Sequence, residues 1–253
     1  MMKRFKKMLS MVLVFSMMTA LVTGCGSSSS DSGKYLIATD TTFAPFEYED
    51  NGTMVGIDMD ILAAIAEDQG FEYELKTLGF NAAITALESK QVDGVIAGMS
   101  ITDERTKKYD FSTAYYEAGV TMAVKNTTTN VKSYDDLNGQ SVAVKIGTQG
   151  AAFAESIQEK YNFKIKTFED SSGMYDEVIA GGSVACFEDF PVVAFAIKQG
   201  LALQVVGEQE NTSSYGFAVN KGKNDELLQK FNKGLENIKA NGTYQAILDK
   251  YTA

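Results

Sequence analysis

The stretch GIDMDILAAIAEDQGFEYEL, residues 56–75, decides the fold class, because it contains one helix and the strand that follows it. Three of its apolar residues recur at helical spacing: Ile61, Leu62 and Ile65. Asp58 is expected to cap this helix at its start, and Gly70 marks its end. Residues 71–75 then form a predicted strand.

The same alternation of strand and helix surrounds this stretch from Lys34 onward. Tyr35–Thr39 is a predicted strand, and Asn81 is expected to cap the next helix. Residues 92–99 are predicted as a strand. This β-α-β-α pattern is typical of a largely parallel sheet covered by helices.

A second series of strands and helices follows. Ser133 to Asp136 fits a capping box, and Pro191 is well placed to begin a helix. The predicted strands of this series are 141–145, 163–168, 184–187 and 203–206. Residues 215–219 are predicted as a strand that returns to the first series. Two α/β units joined by more than one crossing strand predict a hinged, two-lobed body with a ligand cleft between the lobes.

The first residues are predicted to be an export signal rather than part of this body. Residues 1–24 begin with a basic head and continue with an apolar run that is too short to span a bilayer comfortably. LVTGC, residues 21–25, resembles a bacterial lipobox, in which Cys25 is acylated. The alternative is a secretory signal without lipidation. Residues 26–33 form a polar, flexible tether.

Composition excludes several functional classes. Removing residues 1–24 leaves 19 of the 23 Lys and Arg against 33 Asp and Glu, a net charge of −14, which repels nucleic acid. The chain has no histidine, so neither a nucleophilic Cys186 with a histidine base nor a dedicated metal site is expected. No cofactor and no catalysis are expected.

The stretch AGMSITDER, residues 97–105, places an arginine where it can clamp a carboxylate. Thr102 or Asp103 is expected to cap a new helix with Arg105 in its first turn, and Ser100 adds a hydroxyl. Free N–H groups at a helix start and a planar guanidinium both suit a carboxylate. Taken alone, the segment could equally be an ordinary junction with an exposed arginine.

Five motifs together carry a family resemblance. They are ATDTTFAPFEYE (38–49), GIDMDILAAIA (56–66), AGMSITDERTKKYDFS (97–112), VAVKIGT (142–148) and CFEDFP (186–191). The body, residues 34–253, resembles the polar amino acid-binding proteins of ATP-driven (ABC) importers, and most of all the glutamine-binding proteins. The resemblance implies an α/β, two-lobed periplasmic-binding-protein fold of type II.

The resemblance also implies an organisation and a set of partners. Its lobes would be 34–114 plus 216–253 and 120–210, with hinge strands at 115–119 and 211–215. A monomer would bind an L-amino acid, close over it and dock on an ABC permease with its ATPase. We expect an extracytoplasmic lipoprotein held at the membrane by a lipid anchor, more in keeping with a Gram-positive surface than a periplasm.

The resemblance assigns the ends of the ligand. Arg105 would take the α-carboxylate with Ser100 and with backbone N–H groups near Gly98 and Thr148, while Asp189 would pair with the α-ammonium. Asp189 could also cap the Pro191 helix. Phe43 and Phe80 are the expected aromatic walls around the ligand side chain. Gln149 is a further expected ligand-binding residue.

Asp40 and Lys145 bear on the substrate. One acceptor and one donor suit a side-chain amide, whereas glutamate or arginine would meet a like charge in a partly dry cleft. This favours glutamine; the alternative is that Asp40 and Lys145 merely bridge the lobes when these close. Glu188, which stands where the enteric glutamine-binding protein carries a histidine, adds a negative charge; if it lines the cleft, arginine or lysine becomes the alternative ligand.

Two further alternatives come from other functional classes. A few relatives of this fold are dehydratases, and in such an enzyme Glu188 would be the general acid. A chemosensory ectodomain that acts through a separate receptor is the other alternative.

Overall fold

The computed structural model describes residues 33–252. The predicted signal peptide, the predicted acylation site Cys25 and the predicted tether up to residue 32 lie outside the described residues. No helix within 33–252 combines the length and the apolar character that crossing a bilayer requires.

Strands and helices alternate along the described chain. The strands are β1 (Tyr35–Thr39), β2 (Thr42–Phe43), β3 (Glu47–Asp50), β4 (Thr53–Val55), β5 (Tyr73–Thr77), β6 (Gly94–Val95), β7 (Tyr109–Phe111), β8 (Tyr116–Lys125), β9 (Ser141–Lys145), β10 (Lys164–Phe168), β11 (Ala185–Asp189), β12 (Leu203–Tyr215) and β13 (Ala218–Asn220). The α-helices are α1 (Ile57–Gln69), α2 (Phe80–Glu88), α3 (Gln149–Tyr161), α4 (Ser171–Ala180), α5 (Phe190–Lys198), α6 (Asp225–Ala240) and α7 (Thr243–Thr252). Short 3₁₀ helices cover Arg105–Lys107 and Tyr134–Leu137.

The first lobe is built on a five-stranded sheet in the order β5-β1-β6-β13-β7. β1 pairs parallel with β5 and β6, while β13 runs antiparallel to β6 and β7. Neighbouring residues of a strand point to opposite faces. Ile37 therefore packs with α1, α6 and α7 on one face, and Ala38 packs with α2 on the other.

The second lobe is built on a sheet in the order β10-β9-β11-β8-β12. β9 pairs parallel with β10 and β11, and β8 runs antiparallel to β11 and β12. Val144 packs toward α3, whereas Ala143 packs toward α4 and α5. Both sheets are thus mixed: the β-α-β repeats give the parallel pairs, and strands that arrive from the other lobe give the antiparallel ones.

Two neighbouring strands, β8 and β12, connect the lobes. Just before β8, the Tyr115 N–H donates to the carbonyl of Tyr215 at the end of β12, at 3.0 Å. The Tyr116 and Tyr215 rings stack there with centroids 5.9 Å apart. The residue limits given above for lobes and hinge strands stay a prediction.

The start of α1 differs from the expectation. Gly56, with φ 130°, precedes the helix, and a Cβ there would lie 2.1 Å from the Phe46 carbonyl oxygen. The Asp58 N–H donates to that carbonyl at 2.9 Å, and the Asp58 side chain makes no cap. The prediction that Asp58 caps α1 is therefore wrong, because backbone carbonyls of the preceding turn already occupy the first N–H groups.

Other element predictions are partly corrected. α2 begins at Phe80 after Gly79, so Asn81 lies inside the helix and does not cap it. Of the strand predicted over 92–99, only β6 is formed, and a strand over 215–219 is replaced by the end of β12 and by β13. The capping box of Ser133 is confirmed, as is proline in the first turn of α5.

Candidate functional site

A small cavity lies between the two lobes, at the carboxyl ends of their strands. Its lining residues are Asp40, Phe43, Phe80, Ala97, Gly98, Ser100, Arg105, Lys145, Thr148, Gln149 and Asp189. All the predicted site residues except Glu188 are among them, and Ala97 is an addition that no chemical signal in the sequence could reveal. Their contact with a ligand remains a prediction. The free volume of the cavity is about 10 Å³, because its walls lie close together across the cleft.

Arg105 bridges the two lobes across this cavity. Its guanidinium donates to the Ser100 carbonyl and to the Gly147 carbonyl, each at 2.9 Å. It lies over the Phe80 ring, with 5.4 Å from the guanidinium carbon to the ring centroid. Its backbone N–H donates to Thr102 Oγ1 at 3.2 Å, although only a short 3₁₀ turn follows in place of the expected helix. The cation therefore lies over an aromatic ring and donates to a carbonyl of each lobe.

Asp189 ends β11 and is buried opposite that cation. Its Oδ2 accepts the Tyr215 O–H at 2.5 Å. Burial raises the pKa of Asp189, while Tyr215, Arg105 and Lys145 act in the opposite direction. Asp189 occupies the N-cap position of α5 but makes no side-chain cap, because its carboxylate is engaged by Tyr215. Asp189 thus presents a buried negative charge to the cavity.

Asp40 and Lys145 form an ion pair between the lobes. Each side chain is 1% exposed, and the Lys145 ammonium contacts Asp40 Oδ2 directly. Lys145 also lies 3.4 Å from the hydroxyls of Thr42 and Ser171. The second Asp40 oxygen accepts the Thr41 N–H at 2.7 Å. One wall of the cavity is therefore a paired acceptor and donor.

Glu188 lies behind this wall. Its carboxylate accepts from Ser171 Oγ at 2.9 Å, from the Tyr175 O–H at 3.5 Å and from the Asp189 N–H at 3.0 Å. Burial, and then the neighbouring Asp189, raise the pKa of Glu188 to about 7. Glu188 reaches Lys145 only through Ser171, so the structure does not place it with the other predicted site residues.

Gly98 lies directly beneath the Phe43 ring. Its φ is 52°, and a Cβ at this position would lie 2.4 Å from Phe43 Cε1. Its N–H donates to Asp58 Oδ2 at 2.8 Å, and the Thr148 N–H donates to the Lys145 carbonyl at 3.4 Å. These two N–H groups are thus engaged within the protein, and the contact of backbone N–H groups near Gly98 and Thr148 with a ligand stays a prediction. The first turn of α3, which begins at Gln149, remains as a local source of positive potential.

Cys186 and the possible metal ligands add no chemistry to the site. Cys186 is buried in β11, and burial raises the pKa of its thiol. Within 33–252 no group of His, Cys, Asp and Glu is arranged to hold a metal ion. A larger groove beyond Thr42 has only Glu49 and Asp176 as charged lining residues, so it offers no cation to a carboxylate.

The sequence profile of the bacterial extracellular solute-binding proteins, family 3, matches residues 35–253. The chain belongs to this family. The arginine-binding extracellular protein ArtP of Bacillus subtilis is 34% identical over 258 residues, covering 95% of this chain and 96% of that protein.

Solved structures agree with this assignment. An ancestral arginine-binding protein is 39% identical to this chain, and each of its two solved forms aligns with 87% of this chain. The alignment includes 99% of the arginine-bound form, with a TM-score of 0.82. It includes 98% of the glutamine-bound form, with a TM-score of 0.81. These neighbours share the type II two-lobed α/β fold.

The arrangement of the lobes is the closed one. The second substrate-binding domain of Lactococcus lactis GlnP in open conformation is also 39% identical, covering 89% of this chain and 98% of that chain, yet its TM-score is 0.60. The forms with bound amino acid fit much better at the same identity. The contacts of Arg105 with Gly147 and of Lys145 with Asp40 are direct bridges that hold the lobes together.

Proposed function

We propose that this protein binds a polar L-amino acid between its lobes, with glutamine as the favoured ligand, and delivers it to the permease of an ABC importer. The observation that carries the proposal is the small cavity between the lobes, lined by two cations and two anions. The cations are Arg105 and Lys145, and the anions are Asp189 and Asp40, of which Asp40 pairs with Lys145.

The first pair fits the zwitterion of an amino acid. The guanidinium of Arg105 would exchange its contact with a carbonyl for a bidentate pair with the α-carboxylate, helped by the Ser100 hydroxyl. Asp189 would accept from the α-ammonium while keeping its bond to Tyr215. The rings of Phe43 and Phe80 would enclose the aliphatic part of the side chain.

The second pair fits a neutral amide. Asp40 would accept from its NH₂ group, and Lys145 would donate to its carbonyl oxygen. The four charged lining residues sum to zero, so a ligand without net charge leaves the closed cleft balanced. A glutamate or arginine side chain would meet a like charge at about 4 Å, which at an effective dielectric constant of about 20 costs on the order of 4 kcal/mol before relaxation.

Calorimetry of the body from residue 26 onward against the twenty common amino acids tests this proposal. We expect L-glutamine to bind, and to raise the melting temperature because a ligand of the folded state stabilises it by mass action. Arg105→Ala is the matched variant and should lose binding of every amino acid while remaining folded. Binding of none of the twenty, or an unchanged affinity of Arg105→Ala, contradicts the proposal.

Arginine is the second candidate ligand, on a specific observation. Glu188 is buried beside Asp189 and one hydroxyl away from Lys145, so it adds negative charge close to the cleft. The relatives named above include arginine-binding proteins. A melting shift with L-arginine and none with L-glutamine at the same concentration would replace glutamine in the proposal.

We propose no catalytic role. Glu188, the candidate general acid, does not line the cavity and is engaged by Ser171 and Tyr175. Turnover of prephenate or arogenate by the purified protein would contradict this.

The anchoring is also a proposal, because Cys25 lies outside the described residues. Its support is the lipobox-like LVTGC sequence and the polar tether after it. Acylation of Cys25 by several chains would hold a monomeric body stably at the outer face of the cell membrane.

A further inference from the structure

Glu47 is buried beneath the cleft without a hydrogen-bond donor. It is the first residue of β3 and is 0% exposed. Among the described residues, no N–H or O–H group donates to either of its carboxyl oxygens. An ionised carboxylate is an acceptor only, so a charged Glu47 would leave both oxygens unpaired in the core.

The neighbouring Asp58 is in the opposite situation. Its Oδ2 accepts from the Gly98 N–H at 2.8 Å and from the Tyr115 O–H at 2.7 Å. It lies in the first turn of α1, where the helix dipole favours a negative charge. Its other oxygen, Oδ1, has no donor among the described residues. The carboxyl groups of Glu47 and Asp58 lie within hydrogen-bonding reach of each other.

One shared proton pairs Asp58 with one Glu47 oxygen and leaves the other Glu47 oxygen as an uncharged carbonyl. If Glu47 carries it, the Glu47 O–H donates to Asp58 Oδ1, and Asp58 keeps its charge between a helix start and two donors. The reverse placement would put the charge on Glu47, whose single donor among the described residues would then be the Asp58 O–H. The asymmetry of the surroundings therefore assigns the proton to Glu47.

The charges around the pair favour the same assignment. Glu47 faces Asp58 from α1, Asp40 from the end of β1 and, with the opposite sign, Lys145 from β9. Tyr115 and Tyr244 are the titratable hydroxyls near Asp58. Burial raises the pKa of Glu47 well above its ordinary value, and Asp58 and then Asp40 raise it further. Burial also raises the pKa of Asp58, to about 6, against its donors.

The Glu47–Asp58 pair is connected to the cleft on two sides. On one side, the Gly98 N–H donates to Asp58, and Gly98 is part of the cavity wall. On the other side, the Tyr115 O–H donates to Asp58. The Tyr115 backbone N–H donates to the Tyr215 carbonyl at 3.0 Å, where the two crossing strands meet. The Tyr215 hydroxyl in turn contacts Asp189.

We propose that Glu47 is a neutral carboxylic acid which donates to Asp58, and that this proton-sharing pair is a positioning device for the cavity wall and the crossing strands. This role rests on the proposed function where it concerns ligand affinity. The protonation itself does not, so the two parts are tested separately.

Infrared spectroscopy of the protein labelled with ¹³C-glutamate tests the protonation in the unaltered chain. At about pH 8.5, above the pKa of about 7 of Glu188, we expect a carboxylic acid C=O band that shifts with the label. The band should be lost in Glu47→Gln and kept in Glu49→Gln, a matched change at an exposed residue of the same strand. Absence of a label-sensitive acid band in the unaltered protein overturns the protonation.

The pH dependence of stability is a second test that needs no ligand. A folded-state pKa that is raised means that the folded chain binds more protons, so stability falls as the pH rises. Relative to Glu47→Gln, which cannot ionise, the folding equilibrium constant of the unaltered protein should fall about tenfold per pH unit above pH 4.5, until the folded protein itself loses the proton. Glu49→Gln should run parallel to the unaltered protein. Parallel profiles for all three proteins overturn the assignment.

Ligand affinity tests the positioning role. Glu47→Gln keeps a donor for Asp58 and should leave the dissociation constant for glutamine within about threefold, whereas Glu47→Met removes the donor and should weaken binding by about tenfold or more. Rescue by Gln but not by Met separates the hydrogen bond from mere packing. Equal affinity of the Met variant and the unaltered protein overturns the positioning role. Failure of the unaltered protein to bind any amino acid overturns the proposed function instead, and leaves the proton on Glu47.

Discussion

Replacing Lys145 by methionine should convert the preference of the cleft from glutamine to arginine. Methionine fills a similar volume and removes the charge, so Asp40 loses its partner while the shape of the wall is kept. The two side chains are each 1% exposed in the closed form, so no water replaces the missing ammonium. An arginine side chain then becomes the cation that Asp40 lacks.

The magnitude follows from the ion pair. Two unit charges about 4 Å apart at an effective dielectric constant of about 20 attract by about 4 kcal/mol, and removing one partner of a buried pair typically costs about 3–5 kcal/mol. Part of this cost is avoided when the lobes open and Asp40 is hydrated. We therefore expect glutamine to bind at least about 30-fold more weakly, and the ratio of glutamine to arginine affinity to fall at least about 100-fold.

Titration calorimetry with both amino acids measures this ratio directly. Lys166→Met is the matched control, since Lys166 pairs with Glu177 at 2.6 Å on the exposed surface, where such a pair is worth about 0–1 kcal/mol. An affinity ratio in Lys145→Met that equals that of the control would refute the role assigned to the ion pair in ligand choice.

Three further outcomes are expected. Gly98→Ala should lower both stability in urea unfolding, by about 1–3 kcal/mol, and ligand affinity, because its Cβ would displace the Phe43 ring and the left-handed backbone disfavours alanine; unchanged values contradict this. In the unaltered protein the raised pKa of Glu188 makes the folded state bind an extra proton, so stability should fall by about 1.4 kcal/mol per pH unit between pH 4.5, the ordinary pKa, and about pH 7, the folded value. Glu188→Gln should abolish this fall; matching pH profiles of variant and unaltered protein would disprove it. Cys25→Ser should move the protein from the membrane fraction to the medium on cell fractionation, and retention in the membrane fraction argues against a lipid anchor.

Local sequence signals predicted the elements well where a single residue type determines the backbone. The capping box of Ser133 and the first-turn proline of α5 are examples, because each depends on groups within one turn. The strand β9 was predicted with its exact limits, because its short buried run ends at a turn.

Predictions that depend on distant groups were less accurate. Asp58 has the residue type of a helix cap, but the carbonyl of Phe46 already accepts its N–H, and the side chain pairs with Gly98 and Tyr115. The mixed pairing in each sheet likewise depends on strands that arrive from the other lobe, which local periodicity does not encode.

The candidate site was predicted from the motifs together rather than from any one residue. The motifs together identified Arg105, Lys145 and Asp189 as candidate site residues, and all three line one cavity in the structure. The position of Glu188 behind Ser171 is a matter of side-chain rotamer, and the importance of Glu47 depends on missing donors in three dimensions. Neither property is visible in a one-dimensional pattern.

The contact between Tyr215 and Asp189 gives the protein an intrinsic optical signal. The chain contains no tryptophan and twelve tyrosines, so tyrosine emission is not masked. Because the hydroxyl of Tyr215 donates to the carboxylate that we assign to the ligand ammonium, capture of an amino acid changes the electronic surroundings of this phenol. Cargo loading could then be followed in real time by ultraviolet fluorescence, with no dye attached.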